Sequence, residues 1–308
     1  MNKSTKLILV IAVVLSLSLL LYFLFAYKAS ASSSDSDPQQ TVTSGGSSGW
    51  LELPAYEVGE HGRYVVTHTA QMGGRTQRNY TVLYDEESYT ALWVAYPLCA
   101  NHISTGREET WGYDPHIPAS SQTSVASGYG ASEPTENYPK NFYARGHQIP
   151  NADRSAVPQM QAQTYFSSNM TPQIQDGFNG GIWAKLEKAV RKRIPAGDTL
   201  YVVTGAAFHR DGVEQPVKMI VNKNDSKQLP VPNYYWKALL KVERNDGQIT
   251  GAETIGFWMP HGDLKGHSYV DYVVSVDQIE QWIDIDLFPN LPDSIEHSAE
   301  EHSSWLAF

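Results

Sequence analysis

The sequence predicts a single globular domain that contains both helices and strands. Runs of β-branched and aromatic residues that have the length of strands recur from Tyr64 onward, and amphipathic helical stretches interrupt them. This periodicity predicts both kinds of element but does not specify how the strands pair. The strand-like runs are Tyr64–His68, Tyr80–Leu83, Leu92–Ala95, Leu200–Thr204, Lys218–Val221, Tyr234–Val242 and Tyr269–Val276.

A helix is predicted around Glu187, where good helix formers continue until Pro195 and Gly197 supply a stop signal. A helix advances about 100° per residue, so residues four apart lie on one side. That side carries an amide, an indole, a carboxylate and a guanidinium, from Asn179, Trp183, Glu187 and Arg191. An ordinary surface helix with an ion pair is the alternative, because an apolar stripe is formed by Ile182, Leu186, Ala189, Val190 and Ile194.

A second group of chemically active residues precedes this helix. Arg145, Gly146 and His147 stand together just before Pro150, which places a basic residue and a titratable imidazole beside a residue of high backbone freedom. The unperturbed pKa of histidine lies near neutrality, so His147 is a candidate proton acceptor. A histidine alone is more often an ordinary surface or core residue, and the interpretation depends on the helix that follows.

At these residues the sequence resembles the DNA/RNA non-specific endonucleases of the ββα-metal (His-Me finger) group. That family's signature is Asp-Arg-Gly-His followed by a small or apolar residue and proline, then a segment like Asn169–Gln173, then an asparagine that opens a helix containing tryptophan and glutamate. Every part except the first aspartate is present, because Ala144 stands in its place. Further similarity, from about Tyr64 to Pro292, lies in Asn79–Tyr84, Leu92–Pro97, Tyr201–Gly205, Val231–Lys237, Ile279–Glu280 and Leu287–Pro289.

The resemblance implies an α+β fold with a central antiparallel sheet and a ββα-metal finger as the active site. It implies a metal-dependent endonuclease that cleaves DNA and RNA without sequence preference, with Mg²⁺ as cofactor and Mn²⁺ as a plausible substitute. His147 would be the general base, Asn179 would bind the metal directly and Glu187 would contact it through water. The remaining implied roles, stabilising charge and support of the site, belong to Arg107, Arg145 and Arg191, and to Asn169.

The departure at Ala144 matters because the family carboxylate is thought to support the site from behind the metal ligands. Groups of that kind tune a metal site by about 10–100-fold rather than perform the reaction. Two other classes of protein stay open, and the departure at Ala144 bears on the first of them. One is a catalytically impaired nucleic-acid-binding envelope protein with the nuclease fold, and the other is an interaction domain displayed at the cell surface.

The formal net charge of −10 contrasts with the lysine and arginine that phosphate-backbone binding normally requires. Lys185, Lys188 and Lys192 nevertheless cluster on the predicted helix. A local basic surface for nucleic acid is therefore expected there. A merely solvated helix face is the alternative of equal weight.

The amino terminus predicts a location outside the cytoplasm. Leu7–Tyr27 is an uncharged run, preceded by lysines, that is long enough to cross a bilayer as a helix. Residues 1–28 are interpreted as a retained signal anchor, or as a cleaved signal peptide because Ala29–Ala31 resembles a cleavage site. Residues 29–49 are predicted to form a flexible Ser/Gly-rich tether, and residues 50–308 to form the endonuclease domain. This domain is expected to be membrane-anchored outside the cytoplasm, or secreted or periplasmic if the leader is removed.

Three further features carry weaker signals. Cys99 is the single cysteine, which excludes an intramolecular disulfide. The segment His261–His267 has metal-capable residues, but its spacing fits no zinc motif, so we predict a loop. The polar stretch Asp293–Phe308 predicts a peripheral, solvated tail.

Overall fold

A seven-stranded antiparallel sheet forms the centre of the computed structural model, in the order β1-β2-β3-β6-β9-β10-β11. Its strands are β1 (Arg63–Met72), β2 (Arg75–Asp85), β3 (Thr90–Leu98), β6 (Leu200–Ala207), β9 (Tyr234–Asn245), β10 (Gln248–Pro260) and β11 (Val273–Val274). The structure describes residues 49–57, 59–129, 142–301 and 303–308. With the helices given below, this sheet confirms the predicted α+β class.

Both faces of the central sheet are covered, because successive side chains of a strand point to opposite faces. In β3, Val94 and Tyr96 join one buried cluster, which includes Trp183, whereas Trp93 and Ala95 join the other. The second cluster packs the far face of the sheet against α3 (Val276–Ile283). All of the predicted strand-like runs except the last lie within strands.

Two short strands and a helix make a separate layer on the first face. Strand β4 (Tyr143–His147) pairs antiparallel with β5 (Met170–Ile174), so that His147 lies opposite Met170. The short helix α1 (Pro158–Gln163) lies in the connection, and helix α2 (Ala184–Arg191) follows β5. This β-β-α unit has the order that the resemblance predicted. The remaining two-stranded sheet pairs β7 (Lys218–Val221) with β8 (Gln228–Val231).

The helix predicted from Asn179 onward is regular only from Ala184. Before it, Gln175–Trp183 forms wide turns with non-helical backbone angles at Gly177 and Gly181, among others. Gly177 has φ of 83°, and a Cβ atom there would lie 2.0 Å from Asp263 Oδ1. Glycine is also a poor helix former. The assumption of uniform helical spacing at Asn179 was therefore wrong.

The carboxyl-terminal part differs from its prediction in two places. The predicted strand Tyr269–Val276 contains a 3₁₀ turn and the two-residue β11, and α3 begins at Val276. The predicted solvated tail contains helix α4 (Asp293–Glu300), and its last aromatic residues, Trp305 and Phe308, are buried in the first core cluster. The segment was predicted to be solvated because most of its residues are polar, but Trp305 and Phe308 each bury a large apolar area.

The predicted amino-terminal anchor lies outside the described residues, as does the tether up to residue 48. Among the residues that the structure describes, no helix is both long and apolar enough to span a membrane. The described residues from Gly49 onward belong to one compact unit. As predicted, His261–His267 contains no helix or strand.

Candidate active site

The pairing of β4 with β5 positions His147 at the end of a short, rigid strand. Gly146 faces Gln173 so closely that a Cβ atom at this position would lie 2.2 Å from Gln173 Cγ. Only glycine permits this approach without displacing the buried Gln173 side chain. The Arg-Gly-His order is therefore a packing requirement of the β4–β5 unit as well as a chemical one.

An aromatic pocket surrounds the His147 imidazole. The ring centroid lies 5.6 Å from that of Trp111 and 5.4 Å from that of Tyr165. His147 Nε2 is buried and has no hydrogen-bond partner among the described residues. Burial and the nearby charges of Arg107 and Arg145 lower the pKa of His147 to about 3. A hydrogen bond with the Arg145 backbone acts in the opposite direction and raises this pKa. A neutral imidazole with an unpartnered nitrogen can accept a proton at neutral pH.

Arg145 is held in place beside this pocket. Its guanidinium carbon lies 3.6 Å from the Trp111 ring centroid, and one nitrogen donates to the carbonyls of Val125 and Ala126 at 3.1 and 3.3 Å. Stacking on an indole and two carbonyl acceptors fix both the plane and the position of the charge. Arg145 can thus contribute a positive potential without rearranging.

Arg107 stands on the other side and is more accessible. Its guanidinium carbon lies 5.8 Å from the Tyr165 ring centroid, and it forms an ion pair of 3.0 Å with Glu109. The Arg107 side chain is 53% exposed. Exposed ion pairs contribute little free energy, so an incoming anion can replace Glu109 at small cost. The predicted arginines at positions 107 and 145 are therefore both brought to His147.

Asn179 is oriented by a neighbour within the wide turns. Its amide nitrogen donates to Gln175 Oε1 at 2.9 Å. Because the nitrogen is engaged, the amide oxygen is the atom of Asn179 that is left to bind a cation. A neutral oxygen of this kind suits a hard divalent ion.

Glu187 lies beside a buried lysine from the central sheet. Lys237 on β9 is 1% exposed, and its Nζ lies 5.1 Å from the Trp183 ring centroid with no hydrogen-bond partner among the described residues. Burial raises the pKa of the Glu187 carboxyl, whereas the Lys237 charge lowers it. Burial also lowers the pKa of the Lys237 ammonium, whereas the Glu187 charge raises it. Each charge therefore stabilises the other in a site of low polarity.

Arg191 forms an ion pair with Asp153. Its guanidinium donates to Asp153 Oδ1 at 2.8 Å, while the Tyr96 hydroxyl donates to Asp153 Oδ2 at 2.9 Å. Asp153 ends a 3₁₀ turn whose first residue, Asn151, donates to the Tyr165 hydroxyl at 2.9 Å. This turn follows β4 closely and connects the His147 pocket with the Glu187 and Arg191 side of α2.

Two residues, Asn169 and His261, hold the strands of the β4–β5 unit in place. Asn169 accepts from the Ile149 amide at 2.9 Å and donates to the carbonyls of Ile149 and Thr164 at 3.0 and 2.8 Å. His261 Nε2 accepts from the Ile174 amide at 2.8 Å. Asn169 is thus placed where a supporting residue is needed, and the predicted loop at His261 anchors the end of β5.

The predicted lysine cluster lies on a different face of α2 from Glu187. A helix turns by about 100° per residue, so Lys188 is offset from Glu187 by about a quarter turn and Lys185 and Lys192 by nearly half a turn. Together with Arg193 they line a cavity of about 370 Å³ that also contains Tyr269 and Trp305. The structure therefore groups the lysines with one another and directs them away from the Glu187 face of α2.

Four residues of the site were not predicted as its members: Trp111, Tyr165, Asp153 and Lys237. The tryptophan ends the stretch that contains Arg107, so its position beside a candidate arginine was a usable signal. Lys237 stands after three aromatic residues within a predicted strand, and a lysine in such an apolar run indicates a buried charge that needs a partner. Asp153 and Tyr165 carry no comparable local signal.

Comparison with known proteins places these residues in a wider context. A family model described as DNA/RNA non-specific endonuclease matches residues 60–294. A nuclease of Serratia marcescens is 28% identical over 221 residues, covering 71% of this chain and 76% of the relative. A nuclease of Nostoc sp. is 26% identical over 229 residues, covering 73% of this chain and 76% of the relative.

A mitochondrial relative and a solved structure extend the comparison. The mitochondrial nuclease EXOG of Danio rerio is 26% identical over 227 residues, covering 70% of this chain and 61% of the relative. A chain in the crystal structure of the EndoG/EndoGI complex has a TM-score of 0.56 and 20% identity, covering 75% of this chain and 89% of that chain. At this identity the structural likeness supports the shared fold.

Proposed function

Because the chain belongs to the DNA/RNA non-specific endonuclease family and is a hydrolytic nuclease, we propose that it cleaves DNA and RNA at the His147 pocket. The observation that carries this proposal is the buried Nε2 of His147, which has no hydrogen-bond partner among the described residues and feels the charges of Arg107 and Arg145. A neutral imidazole can take the proton of an attacking water, and the two guanidiniums can stabilise the charge that develops on the phosphate. These contacts address phosphate and carry no base recognition, which favours cleavage without sequence preference.

A divalent cation suits the oxygen donors that Asn179 and Glu187 offer. The free amide oxygen of Asn179 would bind it, and the Glu187 carboxylate would contact it through water. Oxygen donors with few charges suit Mg²⁺, with Mn²⁺ as a substitute. When bound, such an ion supplies positive charge that stabilises the phosphate as it is attacked.

The remaining groups act on the position and charge of these side chains. The Lys237 charge opposes the rise that burial causes in the Glu187 pKa and so favours the ionised carboxylate, and Asp153 holds Arg191 at the same side of α2. An ionised Glu187 can accept hydrogen bonds and orient water beside the phosphate. Asn169 fixes the backbone on both sides of the site and takes no part in proton transfer.

The lysine cluster is proposed to extend the contact with nucleic acid beyond the cleavage point. Lys185, Lys188 and Lys192 lie with Tyr269 and Trp305 around one open cavity. Ammonium groups bind backbone phosphates. Because these lysines face away from Glu187, their proposed role is affinity and not chemistry.

Cleavage of mixed substrates tests this function. The full chain should cleave supercoiled plasmid, linear duplex DNA and structured RNA of unrelated sequence when Mg²⁺ or Mn²⁺ is present, and should stop in excess chelator. Equal cleavage in chelator, or cleavage at one short sequence alone, would refute the proposal. Salt-sensitive DNA binding without any cleavage would instead select a catalytically impaired nucleic-acid-binding protein.

Removal of the buried lysine should shift the pH dependence of cleavage. Lys237→Met keeps the volume but removes the charge that lowers the Glu187 pKa, so that pKa rises further. If ionised Glu187 is required, the acidic limb of the pH–rate profile moves to higher pH by about one unit. The profile of Lys223→Met, at an exposed position, should match that of the parent. A uniform rate loss without a shift would leave Lys237 with a packing role.

Restoration of the family carboxylate should increase activity at limiting metal. Ala144 lies on β4 opposite Gln173, and Ala144→Asp adds an acceptor that can organise the neighbouring basic groups or water. The Mg²⁺ concentration for half-maximal rate should fall about 10-fold, with little change at saturation. Ala144→Asn is the matched uncharged control. Unchanged or weaker activity at low Mg²⁺, with folding intact, would show that the site is adapted to alanine.

We also propose that the amino terminus places the nuclease outside the cytoplasm. If Leu7–Tyr27 is a retained anchor, the full chain stays in the membrane fraction after high-salt and alkaline washing. External protease then releases the nuclease domain by cutting within residues 29–49. A mature chain that begins at Ser32 would show that the leader is removed.

A further inference from the structure

A second group of carboxylates lies between the last two helices. Asp277 and Glu280 come from α3, and Glu300 comes from the end of α4. One carboxylate oxygen from each of the three residues lies within 4.8 Å of the others. Three like charges at this spacing repel one another strongly unless protons or a cation compensate them.

Glu300 is the member whose position most requires compensation. Its residue is 5% exposed, and Oε1 is buried without a hydrogen-bond partner among the residues that the structure describes. A buried, unpartnered carboxylate oxygen loses its hydration and gains nothing in return. Its carboxyl group nevertheless points toward Asp277 and Glu280, which are more exposed.

The surrounding groups increase the negative charge. Glu280, Glu296, Asp277 and Asp286 all place negative charge near Glu300. Glu296 Oε1 is also buried without a partner among the described residues. Glu280 Oε1 accepts from the Leu287 amide at 2.7 Å, which fixes the carboxylate in place. The cluster is thus oriented, with its acidic groups close together.

We propose that Asp277, Glu280 and Glu300 bind a divalent cation, with Ca²⁺ as the preferred ion. The donors are all carboxylate oxygens, without the imidazole or thiolate ligands that zinc and copper favour, and such a set suits hard ions. Calcium takes oxygen ligands at about 2.3–2.6 Å and tolerates irregular geometry, so oxygens up to about 5 Å apart can share one ion. Mg²⁺ prefers a smaller, near-octahedral set and retains its waters.

The site would fasten the carboxyl-terminal helix to the rest of the protein. Helix α4 already contacts the sheet through Thr254, whose hydroxyl donates to the Ala299 carbonyl at 2.8 Å. Beyond it, Trp305 accepts a hydrogen bond from Arg193 at its carbonyl at 2.9 Å. An ion that joins α3 to α4 would therefore stabilise this terminal segment and, through it, the end of α2. The proposal goes beyond nuclease activity and does not depend on it.

Calcium binding to the full chain tests the site directly. Asn179→Ala should first be introduced so that a cation at the nuclease site does not contribute. After chelation and dialysis, equilibrium dialysis with Ca²⁺ should show one bound ion in this background. Added Glu300→Gln should weaken binding at least about 10-fold, as should Asp277→Asn, because each removes one ionised ligand. Glu301→Gln, at an exposed position on the same segment, should not.

Thermal unfolding provides the second readout. At a Ca²⁺ concentration about 100-fold above the dissociation constant, the midpoint should rise by about 5 °C, and Glu300→Gln should abolish this rise. In chelator, Glu300→Gln should be at least as stable as its parent, because it removes an uncompensated buried acid. Absence of Ca²⁺ binding in the Asn179→Ala chain at millimolar concentration would overturn the proposal, as would unchanged binding after Glu300→Gln. Cleavage by the parent chain is scored separately, so failure of this site leaves the nuclease assignment intact.

Discussion

His147→Ala should lower the turnover of nucleic acid cleavage by at least about 10²-fold, because a positioned general base contributes about 10²–10⁴-fold. The structure gives His147 a buried nitrogen without a partner among the described residues, and a lowered pKa that keeps the imidazole neutral. Affinity for nucleic acid should change little, because phosphate contacts come from arginine and lysine side chains. Single-turnover cleavage and equilibrium binding measure these two quantities separately.

The matched control is His209→Ala, which removes an exposed histidine. Its turnover should equal that of the parent. Circular dichroism and thermal unfolding should show that His147→Ala remains folded. A folded His147→Ala chain that cleaves at the parental rate would show that another group accepts the proton.

Asn179→Ala should change both the rate and its dependence on metal. The substitution removes the amide oxygen that Gln175 leaves free by engaging the amide nitrogen. A bound cation supplies several kcal/mol of charge stabilisation, and each 1.4 kcal/mol corresponds to about tenfold in rate. At low Mg²⁺ the rate should fall by at least about 10²-fold, and part of this loss should recover at high Mg²⁺. Titration of the cleavage rate with Mg²⁺ measures both effects.

Asn101→Ala, at an exposed position, serves as the control for Asn179→Ala and should leave the metal titration unchanged. A loss of rate in Asn179→Ala that is the same at every Mg²⁺ concentration would assign this residue to positioning of the wide turns. Its role as a metal ligand would then be wrong.

The features that sequence predicts well are those that depend on residues contiguous in the chain. Arg145, Gly146 and His147 share one short strand, and the close approach of Gln173 explains why the glycine stands between two functional residues. Strands such as β7 were predicted because β-branched residues of strand length leave a local pattern. The same holds for the apolar stripe of α2, which packs into the first core cluster.

Features that depend on distant contacts could not be predicted. The wide turns before α2 exist partly because Gly177 meets Asp263, from a loop far along the chain. The pairing of Glu187 with Lys237 joins a helix to the central sheet. Burial of Trp305 in a polar tail likewise requires the core that receives it. Each of these contacts is set by tertiary packing, which overrides local propensity.

The separation of the lysine cluster from Glu187 also could not be predicted from proximity in sequence. Sequence proximity suggested one basic surface around the reactive residues. The rotation of α2 instead directs Lys185 and Lys192 toward Trp305, whereas Arg191 contacts Asp153. Proximity in sequence therefore indicates less well than helical spacing which charged side chains share a face with Glu187.

A double-substitution cycle tests most directly whether His147 and Asn179 form one catalytic site. Cleavage rates are measured for the parent chain, His147→Ala, Asn179→Ala and the chain with both changes, at one saturating Mg²⁺ concentration. Residues that act in the same step are strongly non-additive, so the double substitution should be within about 10-fold of the slower single substitution. Rate losses that simply multiply would show that the two residues contribute independently, and would contradict a single metal-assisted site built from β4, β5 and the helix that follows them.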